Sequence, residues 1–160
     1  MNGRFSTEDI LANTLYDALF APHRGREGPF LRLKDGRHIS YDEFLRLTAR
    51  LANALRASGV AVGDRVALQA KKSPEALAVY AACVAAGAVF LPLNTAFTAA
   101  EVEYFVTDAG ARLLICDGGS AAALAPVATK AGATLLTLNG DGSGTLSDLA
   151  ARQPDDFAPA

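Results

Sequence analysis

The chain has 160 residues, of which 51% are hydrophobic and 20% are charged, and its formal net charge is −2. This length is enough for one ordinary domain with its own core. The nearly balanced charge excludes a general electrostatic attraction to nucleic acid or to an anionic membrane, so neither is expected as a partner. The apolar fraction exceeds what a free-standing domain of this size needs. It indicates either helices buried on both sides or a surface that another segment covers.

The N-terminal residues do not resemble a signal peptide, because residues 1–6 contain no apolar core and acidic residues follow at once. No stretch is apolar for long enough to span a bilayer. Residues 76–93 come closest, but Gly87 and Pro92 interrupt them. The sequence therefore predicts a cytoplasmic protein.

The two cysteines, Cys83 and Cys116, are far apart in the sequence, and each lies inside an apolar run. Such positions are typical of buried, reduced thiols. A disulfide or a metal-binding pair is the alternative, but the chain has no Cys-x-x-Cys or Cys/His spacing that would support it.

The first third of the chain is expected to form two helices with a small β-hairpin between them. A capping box that begins at Ser6 opens the first helix, which places Leu15 and Leu19 at helical spacing. The Asp-Gly turn within residues 34–37 separates the two strands of the hairpin. A second capping box begins at Ser40, and the helix that it opens ends at Gly59.

From residue 65 onward, apolar strands alternate with helices. The predicted strands are residues 65–70, 89–91, 113–116 and 135–138. The predicted helices are residues 74–86, 98–109, 121–131 and a short one capped by Thr145. Strands without polar alternation, separated by helices, are typical of a mostly parallel sheet covered on both faces. The predicted fold class is therefore α/β.

Three helix-to-strand junctions share the tripeptide sequence Ala-Gly-Ala, centred on Gly87, Gly110 and Gly132. A repeat of about 22 residues, as in a solenoid, is one interpretation. The simpler one is preferred, because a helix that turns into a strand needs a glycine just past its end.

Two local features give sharper expectations. Pro92 cannot donate to a sheet ladder, so the strand that begins at Val89 should end there or run along an edge, with a short loop before a capping box at Thr98. The helix of residues 74–86 is apolar all round and should be the most buried one in the chain.

Candidate catalytic groups are few. His23 and His38 have no adjacent nucleophile, so catalysis by histidine is not expected. Lys71 and Lys72 follow a strand at the edge where α/β proteins bind ligands, and they are interpreted as a solvated pair rather than as phosphate ligands. The glycine-rich residues 139–145 lack the lysine of a P-loop and the third glycine of a dinucleotide motif. A surface turn is the preferred interpretation.

Three stretches of the central chain resemble the adenylate-forming acyl-CoA ligases: residues 63–67 (GDRVA), 72–77 (KSPEAL) and 86–94 (AGAVFLPLN). The resemblance runs from about Leu15 to the C-terminus. Residues 91–98 (LPLNTAFT) are most similar to the malonyl-CoA synthetases.

Two departures from the family pattern stand next to that last motif. Many relatives have a proline and then a basic residue directly after the asparagine, where this chain has Thr95 and Ala96.

The resemblance implies a two-step reaction in the whole enzyme. A carboxylate such as malonate attacks the α-phosphate of Mg-ATP to give an acyl-adenylate and pyrophosphate, and the thiol of coenzyme A then displaces AMP. ATP, Mg²⁺ and coenzyme A are therefore the implied cofactors, and a small carboxylic acid is the implied substrate. The remainder of the chain is the implied structural partner.

The family residues that stabilise charge on phosphorus have no match in this sequence. They are a Ser/Thr/Gly-rich loop ending in lysine, an acidic magnesium ligand, a ribose-binding aspartate and a lysine of a mobile C-terminal domain. No catalytic, cofactor-binding or metal-binding residue is therefore assigned. Residues 1–160 are expected to be an incomplete N-terminal segment of the large domain, inactive alone and binding none of these cofactors.

Two alternatives stay open. The chain could be a free-standing, non-catalytic α/β binding domain. It could also belong to a ligase for another acid, such as an aryl- or fatty-acyl ligase, although the spelling of residues 94–97 argues against this.

Overall fold

The computed structural model describes residues 13–160. Its helices are α1 (Thr14–Leu19), α2 (Tyr41–Ala57), α3 (Pro74–Ala86), α4 (Ala99–Ala109), α5 (Ala121–Ala131) and α6 (Thr145–Ala150). Its strands are β1 (Pro29–Arg32), β2 (His38–Ser40), β3 (Arg65–Gln69), β4 (Val89–Pro92), β5 (Leu113–Cys116) and β6 (Thr134–Thr137). Among these residues, no helix is long and apolar enough to cross a membrane.

Four strands form one sheet in the order β4-β3-β5-β6, and every pair in it is parallel. Strands β1 and β2 form a separate antiparallel hairpin, whose turn places Gly36 at φ +85°. The α/β class and the hairpin near the start are both confirmed.

Helices cover both faces of the sheet. Val66 and Leu68 of β3 contribute to one core, into which α2, α3 and α6 pack. The residue between them, Ala67, faces the opposite core with α4 and α5. Because alternate strand residues point to opposite faces, a strand segment buried on both sides is apolar at every position, as residues 66–68 of β3 and all of β5 are.

Helix α3 is the most buried helix of the described chain, as the sequence predicts. Seven of its thirteen residues are buried, against eight of seventeen in α2. The Ser73 hydroxyl accepts the Ala76 N–H at 3.1 Å at its start, and Gly87 ends it at φ +68°. Leu77, however, is 41% exposed, so one side of the helix is uncovered in the described chain.

Distant segments cap the C-terminal end of α3. The Asn13 side chain donates to the Val84 carbonyl at 2.6 Å, and the Ala160 N–H donates to the Ala85 carbonyl at 2.9 Å. The last carbonyls of a helix have no partner within the helix, and both ends of the described chain satisfy them here.

Residues 153–160, which we call the C-terminal strap, run across α2. The Asn53 amide donates to the carbonyls of Pro154 and Asp156 at 3.1 and 2.9 Å. The Arg56 guanidinium lies 4.1 Å from the centre of the Phe157 ring. A cation over an aromatic face adds to these hydrogen bonds, so the strap is fixed at several points.

The leucines that the sequence places at helical spacing in the first helix are not on its buried face. Its proposed start at Ser6 lies outside the described residues, and α1 begins after Asn13, whose side chain accepts the Tyr16 N–H at 3.0 Å. Leu15 and Leu19 are 49% and 45% exposed, whereas Tyr16 is buried. The helix turns its tyrosine inward, beside Phe20.

The cap predicted at Thr145 is also wrong, although those at Ser40 and Thr98 are confirmed. Gly144 is the N-cap of α6, and Thr145 is its first helical residue. The Thr145 hydroxyl accepts the Thr137 N–H at 2.8 Å, while the Thr145 N–H donates to the Thr137 hydroxyl at 3.0 Å. A hydroxyl engaged with β6 does not cap its own helix.

The expectation for Pro92 is confirmed. It is the last residue of β4, which is the edge strand of the four-stranded sheet. The Leu93 N–H still donates to the Leu68 carbonyl at 2.8 Å, after which the chain forms the loop that leads to Thr98.

Alanine substitutions at two glycines can distinguish the energetic cost of a backbone clash from the cost of a positive φ angle alone. Gly144 has φ +130°, and a Cβ there would lie 2.4 Å from the Thr137 carbonyl oxygen, whereas Gly132 has φ +68° and open space. We expect Gly144→Ala to lower the free energy of unfolding by about 3 kcal/mol and Gly132→Ala by about 1 kcal/mol. Urea unfolding of the purified proteins measures both. Equal losses would contradict the crowding seen at Gly144.

Candidate functional site

The carboxyl ends of the four parallel strands meet at one edge of the sheet. The chain leaves β3 for α3 on one face and leaves β5 for α5 on the other. Such a reversal opens a crevice in which α/β proteins bind ligands. A cleft of about 550 Å³ lies at this edge and is lined by Lys71, Lys72, Asp117, Asn139, Gly140 and Asp141.

The cleft brings together two features that are about 70 residues apart in the sequence. Lys71 and Lys72, which follow β3, are both exposed. A Cβ placed on Gly140 would lie 3.3 Å from the Lys71 Cβ and Cδ, so the lysine stem packs against the glycine-rich loop. The exposure of both lysines agrees with their interpretation as a solvated pair.

Three backbone N–H groups of the glycine-rich loop donate to acceptors within the loop. The Asn139 N–H donates to the Ser143 carbonyl at 2.7 Å, and the Gly142 N–H donates to the Asn139 carbonyl at 3.0 Å. Asp141 accepts both the N–H and the hydroxyl of Ser143, at 3.0 and 2.7 Å. A phosphate cradle needs backbone N–H groups directed at the ligand. This loop is instead a surface turn, as the sequence predicts.

The charges in the cleft are balanced, with two lysines facing Asp117 and Asp141. The hydrogen bonds from Ser143 hold the pKa of Asp141 below its ordinary value, so this carboxylate stays ionised. Within residues 13–160, no group of three or more His, Cys, Asp or Glu side chains could hold a metal ion.

Asn139 joins the loops that follow β5 and β6. Its side-chain oxygen accepts the Gly118 N–H at 2.8 Å, and its side-chain nitrogen donates to the Ser143 hydroxyl at 2.9 Å. Asp117 accepts the Gly119 N–H at 3.0 Å. Two loops of the edge are therefore tied to each other by side chains.

Gln69 makes a second side-chain connection between loops at this edge. The sequence did not predict it. It is 5% exposed at the carboxyl end of β3, and its amide donates to the carbonyls of Asn94 and Phe97, both at 3.0 Å. A buried amide needs such partners. The one available signal was a glutamine at the end of an otherwise apolar strand.

The histidines lie away from the cleft. The His23 ring packs 4.5 Å from that of Tyr41, between centroids, and His38 is the first residue of β2. Cys83 and Cys116 are free and buried, which confirms the predicted reduced thiols. Burial raises the pKa of Cys83 to about 12 and that of Cys116 to about 11, so neither is a nucleophile at neutral pH.

The chain matches the family of AMP-binding enzymes over residues 21–159. It belongs to this family of adenylate-forming acyl-CoA ligases, as its sequence motifs indicate. Feruloyl-CoA synthase from an Amycolatopsis species is 43% identical over 93 residues, which are 58% of this chain and 19% of that enzyme. The fatty acid–[acyl-carrier-protein] ligase ScoC of Streptomyces coeruleorubidus is 39% identical over 85 residues, 53% of this chain and 16% of that enzyme.

Among solved structures, ATP-bound MatB from Rhodopseudomonas palustris is 43% identical and superimposes with a TM-score of 0.90. The match covers 94% of this chain and 30% of MatB, and apo MatB gives a TM-score of 0.89 over the same shares. The chain therefore spans less than a third of the length of the relatives that it matches. Its fold corresponds to the N-terminal part of an adenylate-forming enzyme.

The buried thiols lead to a labelling prediction. At pH 8 we expect Cys83 and Cys116 to react with a disulfide reagent far more slowly in the folded protein than in urea, because only the thiolate attacks and burial suppresses it. A Thr95→Cys variant, which adds a thiol at an exposed position, should label at once. Rapid labelling of the unmodified protein without denaturant would contradict the core assignment of both residues.

Proposed function

We propose that residues 1–160 are the N-terminal scaffold segment of a cytoplasmic, ATP-dependent acid–CoA ligase. Its reaction joins malonate to coenzyme A, with release of AMP and pyrophosphate, through an acyl-adenylate. The observation that carries this proposal is the 43% identity to MatB across 94% of the chain, at a TM-score of 0.90. MatB binds ATP in that crystal structure, which supports ATP as a substrate of the longer ligase.

The scaffold role follows from what the described residues offer to the chemistry. Adenylate formation needs cationic and N–H donors around the phosphates. The cleft balances two lysines against two aspartates, and three N–H groups of its glycine-rich loop bond within the loop. Within residues 13–160, no group of three or more His, Cys, Asp or Glu side chains could hold a metal ion by itself. The contribution of this segment is to hold the sheet edge and its loops in place.

Malonate as the acid rests on the motif of residues 91–98 and on the MatB likeness. Gln69 fixes the loop within this motif through Asn94 and Phe97. A ligase for another acid is the second candidate, and the feruloyl-CoA synthase, at 43% identity over 93 residues, is the observation that favours it.

The test is pyrophosphate release by the longest protein that the gene encodes, with malonate, ferulate or octanoate as the acid. We expect release that depends on ATP and malonate and a CoA thioester after coenzyme A is added. The 160-residue chain alone should give neither. Release with ferulate but not malonate would support the second candidate, and release by the 160 residues alone would contradict the scaffold role.

A further inference from the structure

Thr48 and Gln69 are the two buried polar residues of the described chain, and their hydrogen bonds differ in reach. The Thr48 hydroxyl donates to the Phe44 carbonyl at 2.9 Å, one turn back in its own helix. The Gln69 amide donates instead to carbonyls that lie 25 and 28 residues further along the chain. Because burying an amide is costly even when it is bonded, an apolar side chain would suit the core at least as well. The core alone therefore does not explain why residue 69 is a glutamine.

Gln69 connects the loops on the two sides of a crevice between β3 and β4. The chain leaves β3 for α3 on one face of the sheet and leaves β4 for α4 on the other. Neighbouring parallel strands whose connections lead to opposite faces leave a crevice at their carboxyl ends, where α/β proteins bind ligands. Gln69 is the last residue of β3, and its amide reaches the turn of residues 94–97, which we call the edge turn.

The edge turn is closed by its own hydrogen bonds. The Phe97 N–H donates to the Asn94 carbonyl at 3.0 Å, and the Ala96 N–H donates to the Asn94 side-chain oxygen at 2.9 Å. The Phe97 ring also stacks on that of Phe105, with 5.2 Å between centroids. The turn thus has a defined shape of its own, and the two bonds from Gln69 fix that shape to the central part of the sheet.

The tip of the edge turn is exposed and uncharged, because Thr95 and Ala96 form it. A substrate can pack against such a tip. Negative charge that develops on phosphorus needs cationic groups or several directed donors, which these two side chains do not supply. The edge turn is therefore suited to binding, which changes KM, rather than to the chemical step, which changes kcat.

We propose that Gln69 is a positioning residue of the longer ligase, which holds the edge turn where the turn contacts an uncharged part of a substrate. The inference rests on the proposed function, because a ligase supplies such a substrate at this edge. Gln69 acts through the carbonyls of Asn94 and Phe97. A contact surface must stay within about 0.5 Å of its productive position, and bonds from a rigid strand hold it better than a loop does alone.

The first test measures KM and kcat of the full-length ligase for ATP, malonate and coenzyme A. We expect Gln69→Leu to raise the KM of at least one substrate about 10-fold or more, with kcat within about threefold. Asn94→Ala, which loosens the edge turn without changing the core, should raise the same KM and decides the question if Gln69→Leu does not fold. Thr48→Val removes the other buried polar hydrogen bond and should leave every KM unchanged. A lower Tm or kcat with every KM unchanged in the edge-turn variants would overturn the proposal.

Residue-resolved hydrogen exchange of the same full-length protein tests the positioning without any substrate. In Gln69→Leu we expect the Phe97 amide to exchange about 10-fold faster or more than in the unmodified protein, because the edge turn opens more often. The amides of β5, in the same sheet, should be unchanged. Equal Phe97 exchange in the two proteins would overturn the proposal. A full-length protein without ligase activity, in which Gln69→Leu still speeds Phe97 exchange, would refute the proposed function alone.

Discussion

A parallel sheet must be covered on both faces, and this constraint shapes the whole segment. Residues 66–68 of β3 and all of β5 are apolar without alternation, so α2, α3 and α6 pack on one side while α4 and α5 pack on the other. Helix α3 shows this constraint most clearly. It packs between the sheet and α2, and its surface is therefore apolar nearly all round. Its C-terminal carbonyls then accept hydrogen bonds from Asn13 and Ala160, so the core fixes both ends of the described chain.

Local sequence signals predicted most of this fold because their physics is local. The capping boxes at Ser40 and Thr98 are satisfied within one helical turn, and the glycines after α3, α4 and α5 adopt the left-handed conformation that the junctions need. Thr145 begins a similar capping-box sequence, but its hydroxyl bonds to Thr137 of the neighbouring strand instead. Tyr16, rather than Leu15, faces the core for a similar reason, since tertiary packing selects the buried face of a short helix.

The candidate site was less predictable, because tertiary contacts build it. Lys71 and Gly140 belong to different loops, and only the order β4-β3-β5-β6 places them in one cleft. The role of Gln69 was hard to predict. A polar residue at the end of a strand does not by itself indicate that its amide donates to the carbonyls of Asn94 and Phe97. The family was identified from sequence motifs instead.

We infer that this segment supports a nucleotide site of the longer ligase but does not bind the nucleotide by itself. Calorimetric titration of Mg-ATP into the purified 160-residue protein, and into the longest protein that the gene encodes, tests this inference most directly. We predict saturable binding by the longer protein and no saturable heat with the 160 residues. Stoichiometric binding by the 160 residues, abolished by Lys71→Ala or Lys72→Ala, would contradict it and make the cleft a nucleotide site in its own right.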